Sequence, residues 1–407
     1  MDTLYSHTFP NGLTLVAERM TGVKSLAMTL LTPAGNARQA EDRQGVAPLL
    51  AEMIGRGAGG LSSRAFSERL DALGVHRSAS SGSRHLRLGA TMIGSHLDQA
   101  LPLLLSQVLS PNLNGAELEP SRDLCLQEID ALDDEPQQRV MIELRRRHFP
   151  APLGRPTVGV REHLKAVSLD DVQRHGGFLT PGGSILSFAG DLDFARLVDL
   201  VAGLTAEWSG AADPLVIADT RLGGVEHLEA DTQQVHIALA YDALSDVDER
   251  SILERAAVSV LSGGMSSRLF TEVREKRGLC YSVYASYAGM KDRGAVMGYA
   301  GTTTPRAQET LDVFIAELKR MAEGVEADEL SRSLLGMKAR LVMQGESSGA
   351  RASAIAADQY VHGRPRSLDE LAARVDTVTL DAVNAFVAER SLDEMTIVTV
   401  GPESLRV

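Results

Sequence analysis

Cysteine is scarce in this chain. Its 407 residues include two, Cys125 and Cys280, which cannot build a disulfide framework for a protein of this size. Isolated thiols of this kind are expected as buried packing residues. Positive charge is also short: 41 Lys and Arg stand against 54 Asp and Glu, a net charge of −13. That balance excludes nucleic acid and an anionic membrane surface as main partners, because a phosphate-rich partner requires a basic footprint. No apolar run is long enough to span a bilayer. The segment Met1-Asp-Thr-Leu-Tyr-Ser-His7 has neither the basic nor the apolar region of a secretory leader, so a cytoplasmic location is expected. There are ten histidines, yet none is paired with a second His or a Cys at helical or Cys-x-x-Cys-like spacing, the usual mark of a zinc site.

What remains is ordinary globular material, 44% hydrophobic and 23% charged, arranged as a repeat. Val167-Ser-Leu-Asp-Asp-Val172 returns as Val378-Thr-Leu-Asp-Ala-Val383, and Ile185-Leu-Ser-Phe-Ala-Gly190 returns as Ile397-Val-Thr-Val-Gly401. Leu61-Ser-Ser-Arg-Ala-Phe66 returns as Met265-Ser-Ser-Arg-Leu-Phe270, and Gly115–Arg122 loosely matches Gly324–Arg332. The matches run in the same order at nearly constant spacing. They predict two halves of one fold, 1–212 and 213–407, joined near Ser209-Gly-Ala-Ala-Asp-Pro214.

Within the first half, Leu13–Ala17 and Leu26–Leu31 read as strands after the Asn11-Gly12 turn, and His85–Met92 alternates as a strand does. Helices are expected at Gly45–Ile54, at Ser63–Leu73 with Ser62 or Ser63 as cap, at Leu97–Leu109 and at Leu118–Leu132. A last strand covers Ser184–Ala189. This is an α+β pattern: helices packed on a largely antiparallel sheet, once in each half.

Ala34–Gly45, the following Gly45-Val-Ala-Pro-Leu-Leu-Ala-Glu-Met53 and the later Arg122-Asp-Leu-Cys-Leu-Gln-Glu-Ile-Asp130 resemble the opening of the pitrilysin/insulinase family of zinc peptidases, the group that includes the mitochondrial processing peptidases. That family carries His-x-x-Glu-His on the first of these helices. Two imidazoles one turn apart bind zinc, the Glu activates a water, and a later Glu completes the site. The resemblance places Pro48 and Glu52 at the two His positions, Ala51 at the general-base position and Glu128 at the later ligand. Proline and alanine offer no lone pair, so no metal is expected in this chain. The resemblance continues through Pro152–Gly159, Leu164–Val172 and Phe188–Asp193 and thus covers nearly all of the sequence.

The second half holds the best-matched stretch, Leu261–Tyr287. In the family an Arg and a Tyr seven residues apart face the zinc from this half, and the matching residues are Arg274 and Tyr281. A guanidinium can hold a peptide carbonyl and a phenol can donate to a developing oxyanion. The resemblance therefore implies a non-catalytic subunit that assists the zinc site of a homologous partner chain acting on peptides. A stand-alone peptide-binding or scaffold protein is the alternative. A third reading, Cys125 as a nucleophile, lacks a nearby His to serve as its base.

Overall fold

The computed structural model describes residues 3–392 and 394–407. Two mixed sheets dominate it. The first contains β1 (Leu4–Thr8), β2 (Thr14–Arg19), β3 (Ser25–Thr32), β4 (His76–Ser81), β5 (Leu86–Ile93) and β6 (Ile185–Gly190), in the order β1-β2-β6-β3-β5-β4. The second contains β7 (Val225–Glu229), β8 (Gln234–Ala243), β9 (Cys280–Gly289), β10 (Gly294–Thr303) and β11 (Thr396–Gly401), in the order β7-β11-β8-β10-β9.

Apart from β1, the two orders are the same element for element. The repeated sequence Ile185–Gly190/Ile397–Gly401 supplies an interior strand of each. β6 lies parallel to β2 and antiparallel to β3, and β11 lies parallel to β7 and antiparallel to β8. Every residue of β6 and of β11 is buried, which is why both read as largely apolar runs, broken only by small Ser and Thr residues, rather than as alternating ones. The remaining pairings are antiparallel. The α+β expectation holds, with one parallel pairing per sheet. β4 closes one end of its sheet and β9 one end of the other.

Helices on one face of each sheet bury the main cores. In the first, Leu49, Leu50, Met53 and Ile54 of the helix Val46–Ile54 join Phe66, Leu101, Leu105 and Phe188, all inaccessible to solvent. In the second, Ile237, Leu239, Leu269, Val273, Leu311 and Phe314 do the same. The helix Ser63–Ala72 starts where its cap was expected: the Ser62 hydroxyl accepts from the Ala65 amide. Ser168 and Asp171 form a reciprocal capping box at Leu169–Gly176.

The chain forms two compact units, and they are not continuous in sequence. The first takes residues up to Ala131, Ala151–Ala218 and Gln344–Arg366. The second takes Leu132–Pro150, Asp219–Met343 and the stretch from Ser367 onward. The halves 1–212 and 213–407 thus exchange one helix each, a feature the repeat does not reveal. The helix Pro136–His148 packs on β8 and β11, with Val140, Leu144 and His148 buried and His148 Nδ1 3.1 Å from Thr396 Oγ1. The helix Ser348–His362 packs on β2, β3 and β6. Its small residues permit close approach: Ala352 meets Ala27 and Ala189, while Ile355 and Ala356 meet Val16 and Ile185. The Ser187 hydroxyl donates to the Ala352 carbonyl at 2.6 Å.

Candidate functional site

In the first unit, the helix Val46–Ile54 starts after Gly45, whose φ of 128° suits glycine alone. Pro48 falls in the first turn, where a missing N–H costs no hydrogen bond. Ala51 is 4% exposed and belongs to the core. Glu52 accepts from Arg56 Nε at 3.0 Å. Arg56 Nη1 also reaches Glu117 on the long helix Gly115–Ala131, at 3.3 Å. Burial of Arg56 opposes its charge, but the hydrogen bonds and charges of Glu52 and Glu117 outweigh that and raise the guanidinium pKa. Glu128 points from the exposed side of that helix and joins no hydrogen bond or ion pair among the described residues.

This donor set does not fit zinc. Of the four motif positions, two have no donor atom, one carboxylate is held by a guanidinium and the last stands in solvent. Among the described residues, no three His, Cys, Asp or Glu side chains are grouped to hold a metal ion. A cleft of about 600 Å³ lies beside the helix, lined by Glu52, Arg56, Asp71 and Arg77 among others. Arg77 stacks on the Phe66 ring at 5.2 Å and donates to the Gly55 carbonyl at 3.0 Å. Sequence alone does not single out Arg56, Glu117 or Arg77, although Glu52 and Arg56 have the i, i+4 spacing of a helical ion pair.

Cys125 lies on the long helix, 6% exposed. Burial, reinforced by the negative charges of Glu52 and Glu128, pushes its thiol up to about 12. A thiol of that kind is almost wholly protonated near neutrality and makes a poor nucleophile.

In the second unit, the segment between helix and strand brings Arg274 and Tyr281 together. Leu269 and Val273 are anchored in the core. Phe270–Glu275 is wound as a π-helix, with the Lys276 amide bonded to the Thr271 carbonyl at 2.9 Å. Such wide turns concentrate at functional sites. Gly278, at a φ of 59°, turns the chain into β9. On β9, Cys280 pairs with Thr302 and Ser282 with Gly301, so Tyr281 is the extra residue of a β-bulge. Its side chain is 82% exposed. The Arg274 guanidinium lies 5.0 Å from the Tyr281 ring and 4.8 Å from the Phe270 ring, a double cation–π contact. Arg274 makes no ion pair among the described residues, so its N–H groups remain available to a ligand.

The neighbouring loop is equally fixed. Arg268, the arginine of the repeated Ser-Ser-Arg, binds Glu329 through two hydrogen bonds of 2.8 and 2.7 Å and the Gly324 carbonyl at 2.8 Å. A Cβ on Gly263 would sit 2.3 Å from the Ser259 carbonyl oxygen, so only glycine fits the turn before it.

Comparisons with known proteins agree with this architecture. Residues 14–160 match the model of insulinase (peptidase family M16), and residues 172–337 match that of the peptidase M16 inactive domain. An uncharacterized zinc protease of Streptomyces coelicolor is 28% identical over 98% of this chain and 90% of its own length. The uncharacterized zinc protease YmxG of Bacillus subtilis is 26% identical over 97% of this chain and 98% of its own. Among solved structures, a peptidase M16 inactive domain from Pseudomonas fluorescens superposes with a TM-score of 0.90 at 20% identity, covering 99% of both chains. A protease from Helicobacter pylori gives 0.86 at 18% identity, covering 98% of this chain and 99% of its own. These last two show the shared fold. The chain belongs to peptidase family M16, the insulinase and pitrilysin group, as a member without the His-x-x-Glu-His motif.

Proposed function

We propose that this chain is the non-catalytic subunit of a two-chain peptidase, contributing Arg274 and Tyr281 to a peptide held at the zinc site of a homologous partner. One observation carries the reading. The guanidinium of Arg274 is stacked on an 82% exposed Tyr281, in a chain whose own motif positions hold Pro48, Ala51 and an ion-paired Glu52. The chemistry suits the role: the guanidinium offers paired donors to a backbone carbonyl, and the phenol one donor to the oxygen that gains charge as a peptide bond is attacked. The cation–π contact pre-orients both groups and lowers the ordering cost on binding.

The test uses the intact chain. Alone, it shows no peptidase activity with added zinc. Mixed with a zinc-bearing homologue from the same source, it forms a stable two-chain complex whose activity exceeds that of the homologue alone. Tight zinc binding and unaided cleavage by this chain would refute the proposal. A second reading, a stand-alone peptide-binding protein, draws support from the edge strands β4 and β9, which can accept an extended segment by strand addition. Saturable peptide binding with no partner complex would favour it.

A further inference from the structure

The ion-paired cluster around Arg56 goes beyond the proposed function, which draws on it only through Glu52. Three features of it point the same way. The Arg56 guanidinium, with its side chain 24% exposed, bridges Glu52 at 3.0 Å and Glu117 at 3.3 Å, whose side chains are 36% and 25% exposed. Arg56 stands just past the C-terminal end of Val46–Ile54, and Glu117 in the first turn of Gly115–Ala131. Each charge therefore meets the helix end of opposite polarity. The bridge joins the two helices that the family resemblance assigns to the metal ligands, and those helices pack directly on one another.

We propose that Arg56 is a built-in replacement for a metal ion: a covalently tethered cation that neutralises the two carboxylates, fastens the two helices and shuts divalent ions out of the site. Its charge is repulsive to a second cation a few ångströms away. Its hydrogen bonds engage one oxygen of Glu52, at a motif position, and one of Glu117, so neither carboxylate is left as an uncompensated anion to attract a divalent ion. The helices are consequently held in place with no metal bound.

The experiment compares the full-length chain with Arg56→Gln, Arg56→Lys and the double variant Glu52→Gln/Arg56→Gln, measuring Tm with EDTA, with millimolar Mn²⁺ and with Zn²⁺, and metal binding by calorimetry. The wild type is expected to have the same Tm in all three conditions and to bind neither ion. Arg56→Gln leaves two half-buried carboxylates unneutralised, so its Tm should fall by roughly 3–6 °C. Mn²⁺ or Zn²⁺ should restore at least half of that loss, with binding visible in the heats. Arg56→Lys should lose less. The double variant, which also removes one carboxylate charge, should recover stability without metal and lose the metal response. The proposal fails if metal stabilises the wild type, if Arg56→Gln matches the wild type, or if Arg56→Gln is destabilised with no response to either ion.

Discussion

Arg351, fully buried on the helix Ser348–His362, donates through Nε to Glu18 on β2 at 2.7 Å, across 333 positions of sequence. Its Nη2 donates to the Arg366 carbonyl at 3.1 Å, and Arg366 is in turn held by Asp358. A charge with no solvent exposure persists only because it is paired and hydrogen-bonded. This network is the polar lock on a helix whose other contacts come from Ile355 and from small alanine and serine side chains.

Arg351→Ala should therefore cost about 3–5 kcal/mol, since it strands the Glu18 carboxylate in a nearly dry site. The double variant Glu18→Gln/Arg351→Met should cost much less, because it removes both charges and keeps the volume. Hydrogen exchange of the β2 and β6 amides reads the effect locally, independently of how the second unit unfolds. Equal losses in both variants would show that packing, and not charge pairing, sets the stability of the helix.

The Arg274–Tyr281 pair gives the functional prediction. In the two-chain complex, Tyr281→Phe removes one hydroxyl and should lower kcat by about 100-fold, the order expected for one oxyanion donor. Arg274→Ala should reduce kcat/KM at least as far, and Arg274→Lys should recover only part of it because the planar fork is lost. Neither substitution should shift Tm by more than a degree or two, given the exposure of Tyr281. Unchanged rates in both variants would remove these residues from the reaction.

Cys125 should behave as packing. With its thiol pushed up to about 12, it should react with iodoacetamide only under denaturing conditions. Cys125→Ala should leave the activity of the complex intact and cost about 1 kcal/mol in stability. Rapid native alkylation would contradict this assignment.

His175 links stability to pH. It is 4% exposed, with Nε2 3.1 Å from the Ala34 carbonyl oxygen. Burial first, and the charge of Arg38 second, pull its pKa down to about 4 despite that hydrogen bond. The folded state therefore keeps the ring neutral while the unfolded chain takes up a proton near pH 6.5. The stability it contributes is present above that value and is lost as pH falls toward 4, by about 2 kcal/mol at pH 5. His175→Gln should flatten that part of the stability–pH curve in urea titrations between pH 7 and 4.5. An unaltered slope would assign the acid sensitivity to other groups.

Much of the fold is legible in the sequence because the signals are local or repeated. The alternation of β5, the cap at Ser62 and the buried run of β6 each announce an element, and the second copy of Ile185–Gly190 reveals that the arrangement occurs twice. The substitutions at Pro48 and Ala51 are equally plain, since no fold can lend those side chains a donor. The Arg56 bridge is half legible: Glu52 and Arg56 have helical spacing, but Glu117 is brought in by packing alone. The stacking of Arg274 on Tyr281 depends on a π-helix and a bulge, neither of which has a dependable sequence signature. The exchanged helices leave no trace, because the Glu18–Arg351 pairing is set by tertiary contact and not by any local pattern.

That exchange has a practical consequence for anyone cutting the gene. A fragment ending near residue 212 would carry Pro136–His148 with no sheet to rest on, and would leave Val16, Ala27, Ile185 and Ala189 bare where Ser348–His362 belongs. Each piece would be both over-supplied and incomplete, prone to aggregate through the uncovered sheet face and to regain order only when its complement is added back.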